Sequence, residues 1–294
     1  FIFKKILEIS NFKKCKHWFG TKKDYSKAKY YYELSAKQNI PNAFLQLGVI
    51  YEDGYVVKKD YLKAKYYYEL AVKNGDPLGN LYLGDLYFNG NGVKQDYSKA
   101  KKYYELASKD GESLALLRLG DMYFYGKGVT KNYIKAKEYY ELSSFYNNSD
   151  AYLFLGNFYM NGYGVQKDYK LAKKYYELSS QLNNTEALFY LGYYYSVDDI
   201  FDFNLTKAID YLLKCSQIHH EENYLCNPIK NSYIHDYRYN FYYYRSFNDL
   251  GLIHIIYYND IKKAYEFIKI AGLNEYPFGQ NNLGLILQFF YDNI

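Results

Sequence analysis

Histidine and cysteine side chains, which could bind a metal or act as nucleophiles, concentrate in one stretch of the 294-residue chain. The stretch contains Cys215, His219, His220, Cys226 and His235, with Asp236 beside the last of them. A zinc site usually includes a tight pair of ligands, such as two cysteines two to four residues apart or two histidines three to five apart. Neither pair is present, and adjacent histidines would point to different sides of a helix. The pattern therefore predicts a solvated loop or an extended helix here, without a metal site.

Turns of the form Gly-x-Gly-Val recur at residues 90, 126 and 162, and glycine-rich turns can bind phosphate through backbone N–H groups. No Lys-Ser or Lys-Thr follows these turns, no strand is predicted before them, and the third glycine of the dinucleotide fingerprint is missing. Glycine also permits the left-handed backbone that ends a helix. We therefore interpret the turns as helix ends and expect no cofactor.

The sequence lacks the patterns typical of enzymes, including Gly-x-Ser-x-Gly, His-Glu-x-x-His and the kinase catalytic loop. The formal charge of +5 comes from lysines that alternate with glutamates, together with three arginines, a distribution typical of solvated helices. No stretch of about 18 uncharged apolar residues could span a bilayer. We expect no catalytic activity, no small-molecule substrate, no nucleic acid and no membrane insertion.

An internal repeat dominates the sequence. The pair Leu-Gly recurs every 36 residues, with its glycine at positions 48, 84, 120, 156 and 192. An alanine at 28, 64, 100, 136, 172 and 208 keeps the same step and follows an Asp or Asn by four residues. The next such alanine is at 264, which indicates an insertion, and Leu283-Gly284 is again in phase with it. Such periodicity is typical of a repeat array with one continuous core.

Each repeat reads as two helices. The second begins at a capping residue such as Asp60, whose carboxylate can accept the free N–H groups of the first turn. Its apolar positions form one helical stripe: Tyr61, Ala64, Tyr67, Tyr68 and Ala71. The first helix has a matching stripe around Gly48 and ends at Gly54. Small residues at Gly48 and Ala64 let the two helix backbones approach closely, with the tyrosines packed around them.

This pattern, Leu-Gly-x-x-Tyr, then Gly-x-Gly-Val, then Asp-Tyr-x-Lys-Ala-x-x-Tyr-Tyr-Glu-Leu-Ala, resembles the Sel-1-like repeat, a relative of the tetratricopeptide repeat. The resemblance covers residues 20–292. It implies an all-α, right-handed α-α superhelix of helix-turn-helix repeats and adaptor roles in assembling protein complexes. The chain departs from the pattern locally, at Val56 in the first full turn, at residues 196–202 in the fifth turn, and at Leu205 and Leu212 in place of tyrosines.

The repeat phase predicts four segments along the chain. Residues 1–20 read as a degenerate or truncated first helix, 21–216 as the main array, 217–243 as the insertion, and 244–294 as further repeats truncated at the end. Together they predict six complete helix pairs and two half units. Because residue 1 is Phe and the last helix has no second helix after it, we expect the sequence to be a fragment of a longer protein.

Positions that differ between copies of the repeat indicate where a partner binds, because the residues needed for packing are the same in every copy. A column here means the same repeat position in every copy. Three columns of the first helices vary and lie on one side of the helix: the residues two before, one after and five after the glycine. In solenoids of this type the first helices line the concave surface, where aromatic and arginine side chains often anchor interfaces. The predicted groove is formed by Tyr82, Asp85, Arg118, Asp121, Tyr125, Phe154, Tyr190 and Tyr193, the aspartates being available for a lysine or arginine of the partner.

The predicted function is a non-catalytic scaffold or adaptor that binds a protein or peptide partner in this groove. The alternative is a docking or regulatory arm of a larger enzyme, such as a protein kinase whose catalytic domain lies outside this sequence. The three cysteines do not lie at repeat positions where a disulfide could join the two helices of a repeat. Reduced cysteines suit an intracellular compartment, so we expect a cytoplasmic protein. The secretory lumen remains the alternative location, because the true N-terminus is expected to be missing.

Overall fold

The computed structural model describes residues 25–54, 56–197, 200–218, 233–274 and 276–292, with side chains masked at 233–240 and 289–292. Within these residues there are fourteen α-helices and no strand. In chain order they are α1 (Tyr25–Ala36), α2 (Pro41–Asp53), α3 (Tyr61–Lys73), α4 (Leu78–Asn89), α5 (Tyr97–Lys109), α6 (Ser113–Tyr125), α7 (Tyr133–Phe145), α8 (Ser149–Asn161), α9 (Tyr169–Gln181), α10 (Thr185–Tyr195), α11 (Leu205–Gln217), α12 (Tyr233–Tyr258), α13 (Ile261–Leu273) and α14 (Pro277–Asp292). The chain divides into two compact units, Phe1–Tyr146 and Asn147–Ile294.

The helices alternate as the repeat predicts. The even-numbered helices α2 to α14 carry the Leu-Gly pair and are called first helices below; the odd-numbered helices are called second helices. Each first helix from α2 to α12 packs against the second helix that follows it, giving the six predicted pairs. Helices α1 and α14 are the two half units.

Side-chain caps begin the second helices as predicted. In α5 the Asp96 carboxylate accepts a hydrogen bond of 2.9 Å from the Lys99 N–H, and in α7 the Asn132 side chain accepts one of 3.0 Å from the Lys135 N–H. Asp60, Asp168, Asn204 and Asp260 cap their helices in the same way. Each cap satisfies an N–H that has no partner within the helix, which fixes where the helix starts.

Glycines end the first helices of the first four pairs. Gly54, Gly90, Gly126 and Gly162 all have φ between 71° and 75°, the left-handed region that favours glycine. Each donates its N–H to a carbonyl four residues earlier, which terminates the helix. The interpretation of these turns as helix ends is confirmed.

Each pair is closed by one large side chain of the second helix that packs on the glycine of the first. In the third pair a Cβ added at Gly120 would lie 2.5 Å from Cε1 of Tyr140, whose side chain is fully buried. Tyr68, Tyr104 and Tyr176 fill the same position in pairs one, two and four, and Leu212 and Ile268 fill it in pairs five and six. The absence of a Cβ on the glycine is therefore what admits the ring.

A second contact also recurs in the pairs. The ring one residue before the buried side chain of the second helix stacks on the ring three residues after the glycine of the first helix. Tyr51 and Tyr67 stack with centroids 5.5 Å apart, and Tyr87 and Tyr103 with centroids 5.6 Å apart. The pattern continues through the sixth pair, where His254 stacks on Phe267 at 5.5 Å. The second-helix rings of these contacts are only partly buried, so in α3, α5, α7 and α9 the later of the two adjacent tyrosines forms the core.

The insertion predicted at 217–243 is only partly described. Helix α12 starts at Tyr233 and continues without interruption to Tyr258, so residues 233–243 extend the first helix of the sixth pair. Residues 219–232, with His219, His220 and Cys226, lie outside the described residues, as does the predicted half helix at 1–20. Cys215 is fully buried at the repeat position that Ala71, Ala107 and Ala271 occupy in other second helices.

Candidate protein-binding surface

In each compact unit the three variable columns of its first helices form a surface, called its first-helix face, and Tyr82 lies at the buried edge of this face in the first unit. Tyr82 is only 6% exposed and stacks on Tyr68 of the preceding pair, with ring centroids 4.8 Å apart and planes 17° apart. In the second compact unit Tyr190 packs on Tyr176 in the same register, at 5.5 Å. Residues two before the glycine thus cover the buried ring of the preceding pair, and the ring of Tyr82 has little surface left for a partner.

Asp85 and Asp121 lie directly after their glycines and hold the hydroxyls of the buried tyrosines. The Tyr104 hydroxyl donates to Asp85 Oδ1 at 2.7 Å, and the Tyr140 hydroxyl donates to Asp121 Oδ1 at 2.8 Å. Burial, and then the nearby carboxylate, raises the pKa of each tyrosine well above its ordinary value. Both hydroxyls therefore remain protonated donors.

Arg118 lies between these two carboxylates. Its Nε is 3.4 Å from Asp85 Oδ1 and its Nη1 is 3.9 Å from Asp121 Oδ2. All three side chains are about one-fifth exposed, with values of 19%, 22% and 20% for the arginine, Asp85 and Asp121. A carboxylate has two oxygens with about four acceptor positions, so each aspartate can accept hydrogen bonds from more than one donor.

Glu52 adds a third carboxylate to the same side of the first unit. Its Oε2 accepts a 2.5 Å hydrogen bond from the Tyr68 hydroxyl. Burial raises the pKa of Glu52 to about 7, opposed by the bond from Tyr68 and reinforced by Asp85 and Asp53. Glu52 on α2 is thus close enough to Asp85 on α4 for that carboxylate to contribute to its raised pKa.

In the second unit the predicted residues Tyr190 and Tyr193 belong to an aromatic cluster completed by α12. Glu186 Oε1 accepts hydrogen bonds from the Tyr190 and Tyr242 hydroxyls, at 3.2 and 3.0 Å. The guanidinium of Arg245 lies 5.9 Å from the ring centroid of Tyr193, which is 39% exposed. Tyr193 is thus the more accessible of the two predicted rings.

Tyr125 and Phe154 complete the predicted set. Tyr125 is 59% exposed near the end of α6, with its ring edge-on to Phe124 at 4.9 Å. Phe154 is half-buried on α8. Within the first unit the structure brings Asp85, Arg118 and Asp121 together; within the second it joins Tyr190 and Tyr193 to Glu186 and Arg245.

Comparisons with known proteins agree with this geometry. The family model of the Sel1 repeat matches six segments of the chain: residues 11–40, 43–76, 77–112, 113–144, 149–184 and 185–214. The chain belongs to the Sel1 repeat family. Sel1 repeat proteins generally serve as non-catalytic scaffolds for protein interactions. Among curated proteins, none matches the chain.

Solved structures similar to this Sel1 repeat protein confirm the all-α solenoid. A Sel1 repeat protein from Oxalobacter formigenes is 30% identical, with 68% of this chain and 82% of that one covered and a TM-score of 0.63. The c5321 protective antigen of uropathogenic Escherichia coli is 21% identical, with 90% and 68% covered and a TM-score of 0.54. The immunity protein Pa5087 of Pseudomonas aeruginosa is 22% identical, with 71% and 78% covered and a TM-score of 0.51. At these lower identities the last two show the fold alone.

The sequence prediction missed that the residue directly after the glycine accepts a hydrogen bond from the buried tyrosine, although the sequence contains a signal for it. This column is Asp or Asn wherever it bonds the buried tyrosine: Asp85 with Tyr104, Asp121 with Tyr140 and Asn157 with Tyr176. In the fifth pair Tyr193 follows the glycine, and Leu212 replaces the buried tyrosine. In the sixth pair the residues are Leu252 and Ile268. From the second pair to the sixth, variation in this column therefore follows the hydrogen-bonding needs of the next helix, whereas in the first pair Val49 follows the glycine and Glu52 accepts the Tyr68 hydroxyl.

Charge is divided between the two helix types of this Sel1 repeat protein. None of the seven first helices within the described residues contains a lysine, whereas each second helix contains at least one. In the first unit the first helices carry Glu52, Asp53, Asp85 and Asp121 against the single cation of Arg118. The first-helix face of that unit is therefore acidic and aromatic although the whole chain is basic.

Cys215 is positioned for packing. Its Sγ lies 3.4 Å from the Thr185 carbonyl oxygen and 3.7 Å from that of Tyr242. Burial raises the pKa of the thiol to about 12. Because the thiolate is the reactive form, a buried and protonated thiol is poorly suited to nucleophilic chemistry. Separately, no helix in the described part of the chain is long and apolar enough to span a membrane.

Proposed function

We propose that this Sel1 repeat protein is a non-catalytic scaffold that binds a basic protein or peptide segment at the first-helix face of its first unit. The observation that carries the proposal is the exclusion of lysine from the first helices, which leaves Asp85 and Asp121 with Arg118 as the cation between them. A lysine or arginine of the partner would form ion pairs with the aspartates that already flank Arg118. Charge complementarity of this kind supports selective and rapid association.

Aromatic side chains support the same proposal. Tyr125 in the first unit and Tyr193 in the second are the two predicted rings with substantial exposure, 59% and 39%. Tyrosine is enriched at binding hot spots, because its ring buries a large area while its hydroxyl forms a hydrogen bond. Tyr82 supports the first-helix face of the first unit, and Tyr190 that of the second, through their contacts with buried tyrosines.

The structure offers a charge-removing variant that keeps the fold. Asn157 already accepts the Tyr176 hydroxyl at 2.7 Å, so Asp85→Asn and Asp121→Asn should preserve the bonds from Tyr104 and Tyr140. The matched control is Asp96→Asn with Asp168→Asn, which removes two charges from helix caps. Asparagine caps two other second helices of this chain, so the control also keeps the fold.

The test begins with selection of peptides from a displayed random library against residues 1–294. We expect the selected peptides to be rich in Lys and Arg, to lose at least about tenfold in affinity with the Asp85→Asn/Asp121→Asn variant, and to bind the control variant normally. Selected peptides without basic residues, or equal losses with both variants, would show that this acidic face is not the binding site. Helicity measured by circular dichroism verifies that both variants are folded.

A second comparison tests the aromatic contact with residues of equal exposure. Tyr125 lies on the first-helix face and is 59% exposed, whereas Tyr66 lies on second helix α3 and is 56% exposed. Tyr125→Ala should weaken binding of the selected peptides, and Tyr66→Ala should leave it unchanged. The reverse order would place the partner on the second helices.

A further inference from the structure

In the first unit, the turns that join the two helices of each pair adjoin one another. Together with the first residues of the second helices they span residues 56–63, 90–99 and 126–135, called the turn edge below. Gly92 has φ 65°, and a Cβ added to it would lie 2.5 Å from Cβ of Tyr61, the first residue of the preceding second helix. Gly128 meets Tyr97 in the same way. Each turn therefore rests on the helix start of the pair before it, and the three segments form one continuous edge.

The turn edge is strongly basic. It contains eight lysines against the two aspartates Asp60 and Asp96, in a chain whose formal charge is +5. All eight lysines are exposed: Lys58, Lys59, Lys63, Lys94, Lys99, Lys127, Lys131 and Lys135. The positive charge of the chain is thus concentrated on this edge.

Nearby acids neutralise only part of this charge. The ammonium groups of Lys63 and Lys99 lie 3.7 and 3.9 Å from oxygens of the aspartates that cap their own helices. Lys59 lies close enough to Glu52 to act against the raised pKa of that carboxyl. Five lysines of the turn edge remain outside these contacts.

The corresponding turns of the second unit are not basic. Residues 162–171 contain two lysines and one aspartate, and residues 198–207 contain one lysine and three aspartates. The repeat itself therefore does not require lysine at these positions, and the basic edge is a property of the first unit.

Aliphatic side chains are exposed among the lysines. Leu62 is 67% exposed and Ile134 is 63% exposed, and the two occupy the same repeat position. Val56 on the same edge is 37% exposed. Anionic lipid surfaces attract clusters of four to eight basic residues, and neighbouring apolar side chains can enter the boundary between headgroups and acyl chains. The turn edge has both features.

Other anionic partners fit the turn edge less well. Protein interfaces are enriched in arginine and depleted in lysine, and the edge contains no arginine. Single-stranded nucleic acids stack their bases on free aromatic rings. The three tyrosines of the edge are partly buried and already pack against neighbouring side chains: Tyr61 with Lys59, Tyr97 with Phe88 and Tyr133 with Phe124.

We propose that the turn edge binds the surface of an anionic lipid bilayer. Its lysines contact the phosphate and carboxylate groups of the lipid headgroups, and Leu62 and Ile134 enter between the headgroups without any helix spanning the bilayer. The residues involved are separate from those of the acidic first-helix face, so either proposal can fail alone.

The test is co-sedimentation of residues 1–294 with sucrose-loaded vesicles. One set contains phosphatidylcholine with about 30% phosphatidylserine, and the other contains phosphatidylcholine alone, both at about 0.1 M salt. We expect binding to the anionic vesicles and little binding to the neutral ones.

Two variants with equal net charge separate the turn edge from the overall charge of the chain. The edge variant removes three of its lysines: Lys58→Gln, Lys94→Gln and Lys127→Gln. The control variant removes three exposed lysines elsewhere on the second helices of the same unit: Lys73→Gln, Lys102→Gln and Lys109→Gln. The edge variant should bind anionic vesicles at least about tenfold more weakly, and the control variant should bind almost as well as the wild type.

A second pair of variants tests the apolar contact. Leu62→Ser with Ile134→Ser should weaken binding to anionic vesicles by at least about tenfold, because both side chains lose their contact with lipid. Leu106→Ser with Leu142→Ser is the control, since these leucines are 46% and 54% exposed on second helices outside the turn edge. The control should leave binding unchanged. Circular dichroism verifies that all four variants are folded.

Equal binding to the two kinds of vesicle, or equal losses with the edge variant and its control, would overturn the proposal. Unchanged binding after Leu62→Ser with Ile134→Ser would show that the edge does not enter the bilayer surface. The same samples are titrated with a labelled single-stranded oligonucleotide and with polyglutamate. Binding of either one that the edge variant abolishes, without binding to vesicles, would mean that the edge serves another polyanion and that the lipid assignment is wrong.

Discussion

The contact between Gly120 and Tyr140 yields the sharpest prediction about stability. A Cβ at Gly120 would lie 2.5 Å from Cε1 and 2.7 Å from Cδ1 of Tyr140. The ring cannot easily retreat, because it is fully buried and its hydroxyl is tied to Asp121 at 2.8 Å. Gly120→Ala should therefore overpack the pair. Alanine gains ~1 kcal/mol over glycine as a helix former, but the clash should outweigh this gain and leave a net loss of stability of about 1–3 kcal/mol.

Gly284→Ala is the matched control. Gly284 occupies the same repeat position but has open space around it, so its change to alanine should give only the propensity gain. The predicted difference between the two variants is thus about 2–4 kcal/mol, with opposite signs relative to wild type. Native-state hydrogen exchange is the suitable assay, because it reports the opening free energy of α6 and α7 separately from that of α14.

Two results would refute this reasoning. Equal protection of α6 and α7 in wild type and Gly120→Ala would mean that the ring adjusts without cost and that glycine is not required for packing. Loss of protection in Gly284→Ala would mean that the face around Gly284 is not open.

Three further predictions address the hydrogen bonds and charges. Tyr104→Phe removes a buried hydroxyl bonded to a carboxylate and should lower the free energy of unfolding, measured with a chemical denaturant, by about 1.5–3 kcal/mol. Tyr103→Phe keeps the stacked ring and should lower it by less than about 0.5 kcal/mol. Equal effects of the two changes would contradict the buried bond. Because the pKa of Glu52 rises from 4.5 to about 7 on folding, the folded chain holds this proton more tightly, and stability should fall as pH increases between these values and level off above them. Glu52→Gln, which still accepts the Tyr68 hydroxyl, should remove a decline on the order of 1–3 kcal/mol, and an unchanged pH profile would assign that decline to other groups. Asp96→Ala should cost about 0.5–2 kcal/mol and expose the first amides of α5 to hydrogen exchange, while Asp96→Asn should cost little.

Much of the fold follows from local sequence. The capping residue at position 60 and its equivalents, the glycines that end the first helices, and the Leu-Gly and Ala columns each act within one or two turns of chain, so their spacing predicts the helices. The all-α class and the six pairs could be predicted in this way. Helix α12 shows the limit, since nothing in the periodicity indicates that it starts at Tyr233 rather than near residue 244.

The candidate surface was predicted less completely, because accessibility depends on neighbouring pairs. Tyr82 and Tyr125 look alike as variable aromatic residues, yet Tyr82 is 6% exposed against Tyr68 and Tyr125 is 59% exposed. The sequence also could not assign Glu52 to the Tyr68 hydroxyl, since they are sixteen residues apart and meet only when the two helices pack.

By itself the sequence determined the repeat, the order of helices and the residues that cap them, because these depend on short-range spacing and backbone geometry. The tertiary structure decided which tyrosine of each adjacent pair is buried and which aspartates hold a hydroxyl. Those outcomes depend on which side chains of other helices reach a given position, and a helical period specifies a face of a helix without specifying what covers it.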